Sequence, residues 1–112
     1  MSDCIFCRVI KREIPAKIEQ EGKDFVAIHD INPQAPVHIL IFPLRHIEKI
    51  SDLKPGDETL AGGLILEAKK IAEKNGLTDY RLLFNNGAGA GQSVFHIHLH
   101  LLAGRTFRWP PG

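Results

Sequence analysis

Apolar positions along this chain change their period several times, and each change marks an element. Phe6, Val9, Ile10 and Ile14 recur in steps of three and four, which predicts a short helix over residues 6–14. Pro15 closes the run, because proline disfavours helical backbone in the residue before it. Short strand-like segments follow at 17–21 and 25–29, and the Gly22-Lys23-Asp24 turn between them predicts a hairpin. Asp30 to Pro36 carries two prolines and an Asn-Pro step, so it is an irregular connection. Residues 37–42 form an apolar strand broken only by His38, and Pro43 ends it. The one long helix spans 57–74, with Leu60, Leu64, Ala68, Ile71 and Ala72 as its inner stripe and Asn75-Gly76 at its end. Glu67, Lys70, Glu73 and Lys74 read as its solvated face. A strand at 80–84 leads through a glycine-rich turn into a last strand at 96–102. Many short strands with two separate helices argue for an α+β fold with an antiparallel sheet.

Composition narrows the classes. At 112 residues the chain suits a single domain, 1–112. The net charge of +1 is spread without a basic block, so neither DNA nor RNA is an expected partner. No stretch has the length of a membrane span, and Met-Ser-Asp-Cys lacks the regions of a signal peptide, so a cytoplasmic protein with no membrane partner is expected.

Candidate chemistry concentrates in His96-Ile97-His98-Leu99-His100-Leu101-Leu102. A strand's period of two places the three imidazoles on one face, and imidazole can serve as nucleophile, acid, base or metal ligand near neutral pH. Same-face neighbours on a strand lie about 6 to 7 Å apart, so two of the three could also reach one zinc ion. The preceding Asn85 to Ser93 segment holds Gly87, Gly89 and Gly91, and a loop of that kind can turn its N–H groups onto an anion. Cys4 and Cys7 form a C-x-x-C pair. A disulfide is disfavoured in a reducing compartment, and a redox pair would need to follow a strand of a larger α/β unit. Zinc ligation, with histidines completing the set, and two unligated thiols are the readings left open.

The His96–Leu102 segment resembles the signature of the histidine triad superfamily of nucleotide hydrolases and transferases. The resemblance extends to Asp30–Pro36, to Pro43–Ile47 with its Pro-x-x-His-Ile pattern, to Gly91-Gln92-Ser93 and to the tail Trp109-Pro110-Pro111-Gly112. It is similar in particular to the histidine triad nucleotide-binding branch, the purine nucleoside phosphoramidases. That resemblance implies a five-stranded antiparallel sheet in each protomer of a homodimer. Its substrates would be purine nucleoside 5′-monophosphates bearing an amine on phosphorus, including nucleotidyl-lysine.

By the same resemblance His98 is the nucleophile, supported by His100, His96 and His38, and Ser93 hands a proton to the departing amine. Asp30 would bind the ribose hydroxyls. Asn85, Gly91, Gln92 and Ser93 would lie on the phosphate side, and Ile5, Phe6, Val9, Ile28 and Ile31 would wall the base. Trp109 is either a packing anchor or reaches toward the partner's site. Catalysis needs no cofactor, but family members with cysteines at this place bind structural zinc, and Cys4, Cys7, His46 and His96 are the matching ligands. The phosphoramidases themselves lack that cysteine pair, so the chain combines a phosphoramidase tail with a zinc-type N-terminus. The alternatives are a dinucleoside polyphosphate hydrolase, a nucleotide-binding adaptor with little turnover, and a metal-storage protein, which would leave Asp30 and Ser93 without roles.

Overall fold

Five strands form one antiparallel sheet in the order β1-β2-β3-β5-β4, in a computed structural model that describes residues 3–112. Met1 and Ser2, the start of the segment read for a signal peptide, lie outside the described residues. The strands are β1 (Ile18–Glu21), β2 (Phe25–His29), β3 (Val37–Pro43), β4 (Tyr80–Leu83) and β5 (Leu99–Ala103), and the helices are α1 (Ile5–Ile10) and α2 (Glu58–Lys74). Among the described residues no helix is long and apolar enough to cross a membrane.

The strand period of two sorts side chains between the sheet's two faces. Ala27, Ile39, Ile41, Leu99 and Leu101 pack against Leu64, Ala68 and Ile71 of α2. On the opposite face Val26, Ile28, Leu40 and Phe42 pack against Phe6 and Val9 of α1. β3 is apolar along nearly its whole length because it lies between two strands and is covered on both faces. Burying the Val, Ile, Leu and Phe side chains among these stabilises the fold by about 1.5 to 3 kcal/mol each.

Two elements differ from their expected extent by more than one residue. α1 ends at Ile10 rather than continuing to residue 14. Arg12 takes a left-handed conformation with φ 59°. Its N–H donates to Val9 O at 3.0 Å, while Glu13 N–H donates to Arg8 O at 2.9 Å. Those two bonds terminate the helix by the common left-handed capping motif. Ile14 still packs against the α1 cluster, so the periodicity identified the buried face although the helix stops short.

The last strand begins at Leu99, not at residue 96. β3 pairs Ile41 with Leu99 as the last rung, and beyond it stands Pro43, which has no N–H to continue the ladder. Ile97 N–H turns instead to Ile47 O, at 2.6 Å. His96 and His98 therefore precede the strand, although they remain on its α1 side.

Candidate functional site

The central observation is how each imidazole is oriented. His98 is buried, and its Nδ1–H donates to the carbonyl of His96 at 2.8 Å. That bond fixes the neutral tautomer with the lone pair on Nε2, an atom that bonds to no described residue and is not among those sealed from solvent. The Phe6 ring meets His98 edge-on at 5.0 Å and stacks on Phe42 at 4.2 Å, which sets the plane of the imidazole. His100 lies beside it, ring centres 4.9 Å apart.

His38 and His100 share a hydrogen bond of 2.9 Å between His38 Nε2 and His100 Nδ1. Its direction follows from a third group. The backbone N–H of Gln34 donates to His38 Nδ1 at 3.1 Å, so that nitrogen is an acceptor and the proton of neutral His38 sits on Nε2. His38 then donates to His100 Nδ1, which leaves the proton of neutral His100 on Nε2. Among the described residues, His100 Nε2 is the buried side-chain polar atom without a partner. A donor shut from water and unpaired is costly unless a ligand oxygen meets it.

Burial holds these rings neutral. It lowers the pKa of His38 against the opposing pull of Asp30, whose Oδ2 is 3.5 Å from His38 Nε2. His98 is lowered by burial as well, with its bond to the His96 carbonyl opposing. His100 is pushed down to about 4, by burial and then by His98 and His38. Asp30 opens the two-proline loop, where its Oδ1 accepts from Asn32 N–H at 2.8 Å.

His96 belongs to a second cluster. It is fully buried, and its Nε2–H donates to Pro43 O at 2.7 Å, which turns Nδ1 toward Cys4, Cys7 and His46. The ligand atoms of these four residues lie within 4.8 Å of one another. A tetrahedral zinc ion requires S···N separations of about 3.5 Å and an N···N separation of about 3.3 Å. Here Cys4 Sγ and Cys7 Sγ are 3.4 and 3.6 Å from His96 Nδ1, Cys7 Sγ is 3.4 Å from His46 Nδ1, and the two Nδ1 atoms are 3.2 Å apart. Two thiols, two imidazoles and a carbonyl that fixes the tautomer of one of them are a donor set that fits that ion. Burial raises the Cys4 thiol above its ordinary value and lowers His96 to about 4.

The other expected residues are placed as follows. Phe6, Val9 and Ile28 are buried together, whereas Ile5 is half exposed and Ile31, beside Asp30, is 97 % exposed. Asn85 is half-buried and its side chain lies close to Gly91. Ser93 is exposed and lines a cleft of about 390 Å³ with Cys4, Ile5, His46 and Phe95. A larger cleft of about 460 Å³, lined by Phe25, Leu44, Arg45 and Asp57 among others, has no histidine in its lining.

The glycine-rich loop turns part of its backbone back on itself. Ala90, Gly91 and Gln92 donate their N–H groups to Gly87 or Ala88 carbonyls, and Gly87 N–H donates to Gln92 Oε1. The short 3₁₀ turn Ala88–Ala90 thus uses the Gly91 N–H to close itself on Ala88 O. Gln92 is buried, with its amide donating to Glu48 O and Val94 O, so its side chain holds the loop and is not aimed at a ligand. Trp109 is 84 % exposed, so its ring is not buried against its own chain. Gln34 escaped the sequence reading because its contribution is a backbone N–H, which no residue pattern encodes.

Comparison with known proteins agrees with this geometry. The HIT domain family matches residues 11–107, and the chain belongs to that family. An uncharacterised HIT-like protein of Synechocystis is 50% identical over 111 residues, covering 98% of this chain and 97% of its own. A HIT family hydrolase from Legionella pneumophila superposes with a TM-score of 0.95 at 48% identity, covering 98% of this chain and 100% of the other. A histidine triad protein from Clostridium difficile gives 0.92 at 34% identity, covering 96% of each.

Proposed function

We propose that this chain is a nucleotide hydrolase that cleaves the P–N bond of purine nucleoside 5′-phosphoramidates. One observation carries the reading: an unprotonated His98 Nε2 stands beside the unpaired Nε2–H of His100. The first is a nucleophile and the second is a donor for a phosphate oxygen. The Nε2 lone pair of His98 attacks the α-phosphorus, the P–N bond breaks, and the amine leaves with a proton from Ser93. The His96 carbonyl, already accepting from Nδ1–H, stabilises the charge that develops on the ring. Water then attacks phosphorus and returns a proton to Ser93, the P–N bond to His98 breaks with its electron pair going back to Nε2, and the nucleoside monophosphate is released. Asp30 accepts from the ribose hydroxyls, Asn85 contacts the phosphate side, and Phe6, Val9 and Ile28 with Ile5 and Ile31 flank the base. The likeness to a HIT family hydrolase of Legionella pneumophila supports the reaction class.

Cys4, Cys7, His46 and His96 would hold a structural zinc ion in this reading. With four protein ligands it leaves no open position, so it joins the N-terminal segment to the histidine segment and contributes folding energy. The active unit is a cytoplasmic homodimer in which Trp109 reaches the partner's site.

Amine release from adenosine 5′-phosphoramidate is the test. His98→Ala is expected to lose at least about 1,000-fold in turnover while still binding AMP. Equal rates for the two proteins would remove His98 from this role. A wild type that binds AMP without turnover would make the protein an adaptor instead.

A further inference from the structure

We propose that Arg105 is a positioning residue that sets the proton placement of the His38–His100 pair from outside the site. This deepens the reading above, in which His100 Nε2–H meets the phosphate. Arg105 follows directly on β5 and Gly104, and its Nε–H donates to Gln34 O at 3.1 Å. Gln34 is the residue whose N–H donates to His38 Nδ1. One residue thus takes a bond from the arginine through its carbonyl and gives one to the histidine through its amide. The relay runs from Arg105 through Gln34 and His38 to His100.

Arg105 is held for this task. Its guanidinium lies over the Phe107 ring, 4.3 Å from the centroid, and Nη1 donates to Thr106 O at 3.1 Å. A planar fork fixed on three sides keeps Nε aimed at a single carbonyl, which a mobile cationic side chain would not do. Gly104 adds a second hold on the same loop. With φ at +96°, it packs so closely on Pro36 that an added Cβ would lie 2.8 Å from Pro36 Cβ. The segment after β5 therefore grips the Asp30–Pro36 loop at Gln34 and at Pro36.

The consequence is a tautomer rather than a contact with substrate. While Gln34 N–H points at His38 Nδ1, His38 must carry its proton on Nε2 and His100 must present its own on Nε2. Without the grip on Gln34, His38 can take its proton on Nδ1. His38 Nε2 then becomes an acceptor, and His100 turns an acceptor nitrogen toward the phosphate. Asp30 Oδ2, 3.5 Å from His38 Nε2, favours the productive form and limits the size of the change.

Two-bond proton–nitrogen correlation spectra of ¹⁵N-histidine-labelled protein read both tautomers without reference to any substrate. Wild type should show His38 and His100 as Nε2–H forms. Arg105→Ala should shift the His38 ratio roughly fivefold toward Nδ1–H, the change expected for loss of one ordinary hydrogen bond. Arg105→Lys, which keeps a cationic donor, should recover part of that ratio. Arg108→Ala, three residues on, should match wild type. Should Arg105→Ala fail to fold, Phe107→Leu, which frees the guanidinium, should show the same shift. Unchanged His38 and His100 tautomers in Arg105→Ala, or a lysine no better than alanine, would overturn the proposal. Absence of phosphoramidate turnover in a wild type with both Nε2–H forms in place would instead defeat only the activity proposed above.

Discussion

His96 and His98 stand two residues apart and face different surroundings, because each ring spends a different nitrogen on the backbone. His98 bonds through Nδ1 and keeps Nε2 for chemistry, whereas His96 bonds through Nε2 and turns Nδ1 to the thiols. Residue type and spacing made both candidates for both tasks, the family resemblance told them apart, and the positions of two carbonyls give the physical reason. The zinc proposal is tested at this scale. Cys7→Ser is expected to lose bound zinc, measured by elemental analysis of untagged protein, and to lower the thermal midpoint. Chelator added to wild type should lower it similarly, since an ion bound only by the folded state stabilises that state. Zinc near zero in wild type would leave two ordinary thiols.

At the scale of elements, β5 and the turn after it matter most. β5 brings His100 opposite Leu40 and Leu102 opposite His38, which lays the two bonded histidines on adjacent strands of one face. Gly104 then reverses the chain at a left-handed φ that a side chain resists. Gly104→Ala is expected to cost about 2 kcal/mol, from the backbone conformation and from the clash with Pro36. Urea unfolding would measure this as a lower midpoint, and an unchanged midpoint would show that the loop yields freely. Gly62, with nothing near its absent Cβ, should by contrast accept alanine without loss.

Over the whole molecule, the neutral buried histidines tie stability to pH. His100 and His96 have folded values near 4, against 6.5 for the unfolded side chain. Between those values the unfolded chain binds protons that the folded one refuses, so stability should fall as pH drops from about 6.5 to about 4. Chelated protein isolates this effect, because acid also releases zinc from thiolates. A urea midpoint that stays flat across the window would mean the rings are already charged in the fold. The dimer is tested at the same scale. β4 ends the sheet with an unpaired edge, and Ile65 and Leu66 of α2 are half or more exposed. Light scattering should report twice the mass of one chain, and a monomer would withdraw the role given to Trp109.

Much of the fold was legible in the chain because alternation and three-to-four spacing record burial directly. β2, most of β3 and α2 follow from Phe25–His29, from the apolar run after His38 and from the Leu64-Ala68-Ile71 stripe. The histidine trio and the cysteine pair were equally visible, since their chemistry lies in residue type. Which nitrogen of each ring faces outward was settled only by folding, because that depends on the carbonyls of Pro43 and His96 and on the amide of Gln34. Backbone groups are the same in every residue. Their placement comes from the whole chain packed together, and that placement turned a row of imidazoles into candidates for three separate tasks: nucleophile, phosphate donor and metal ligand.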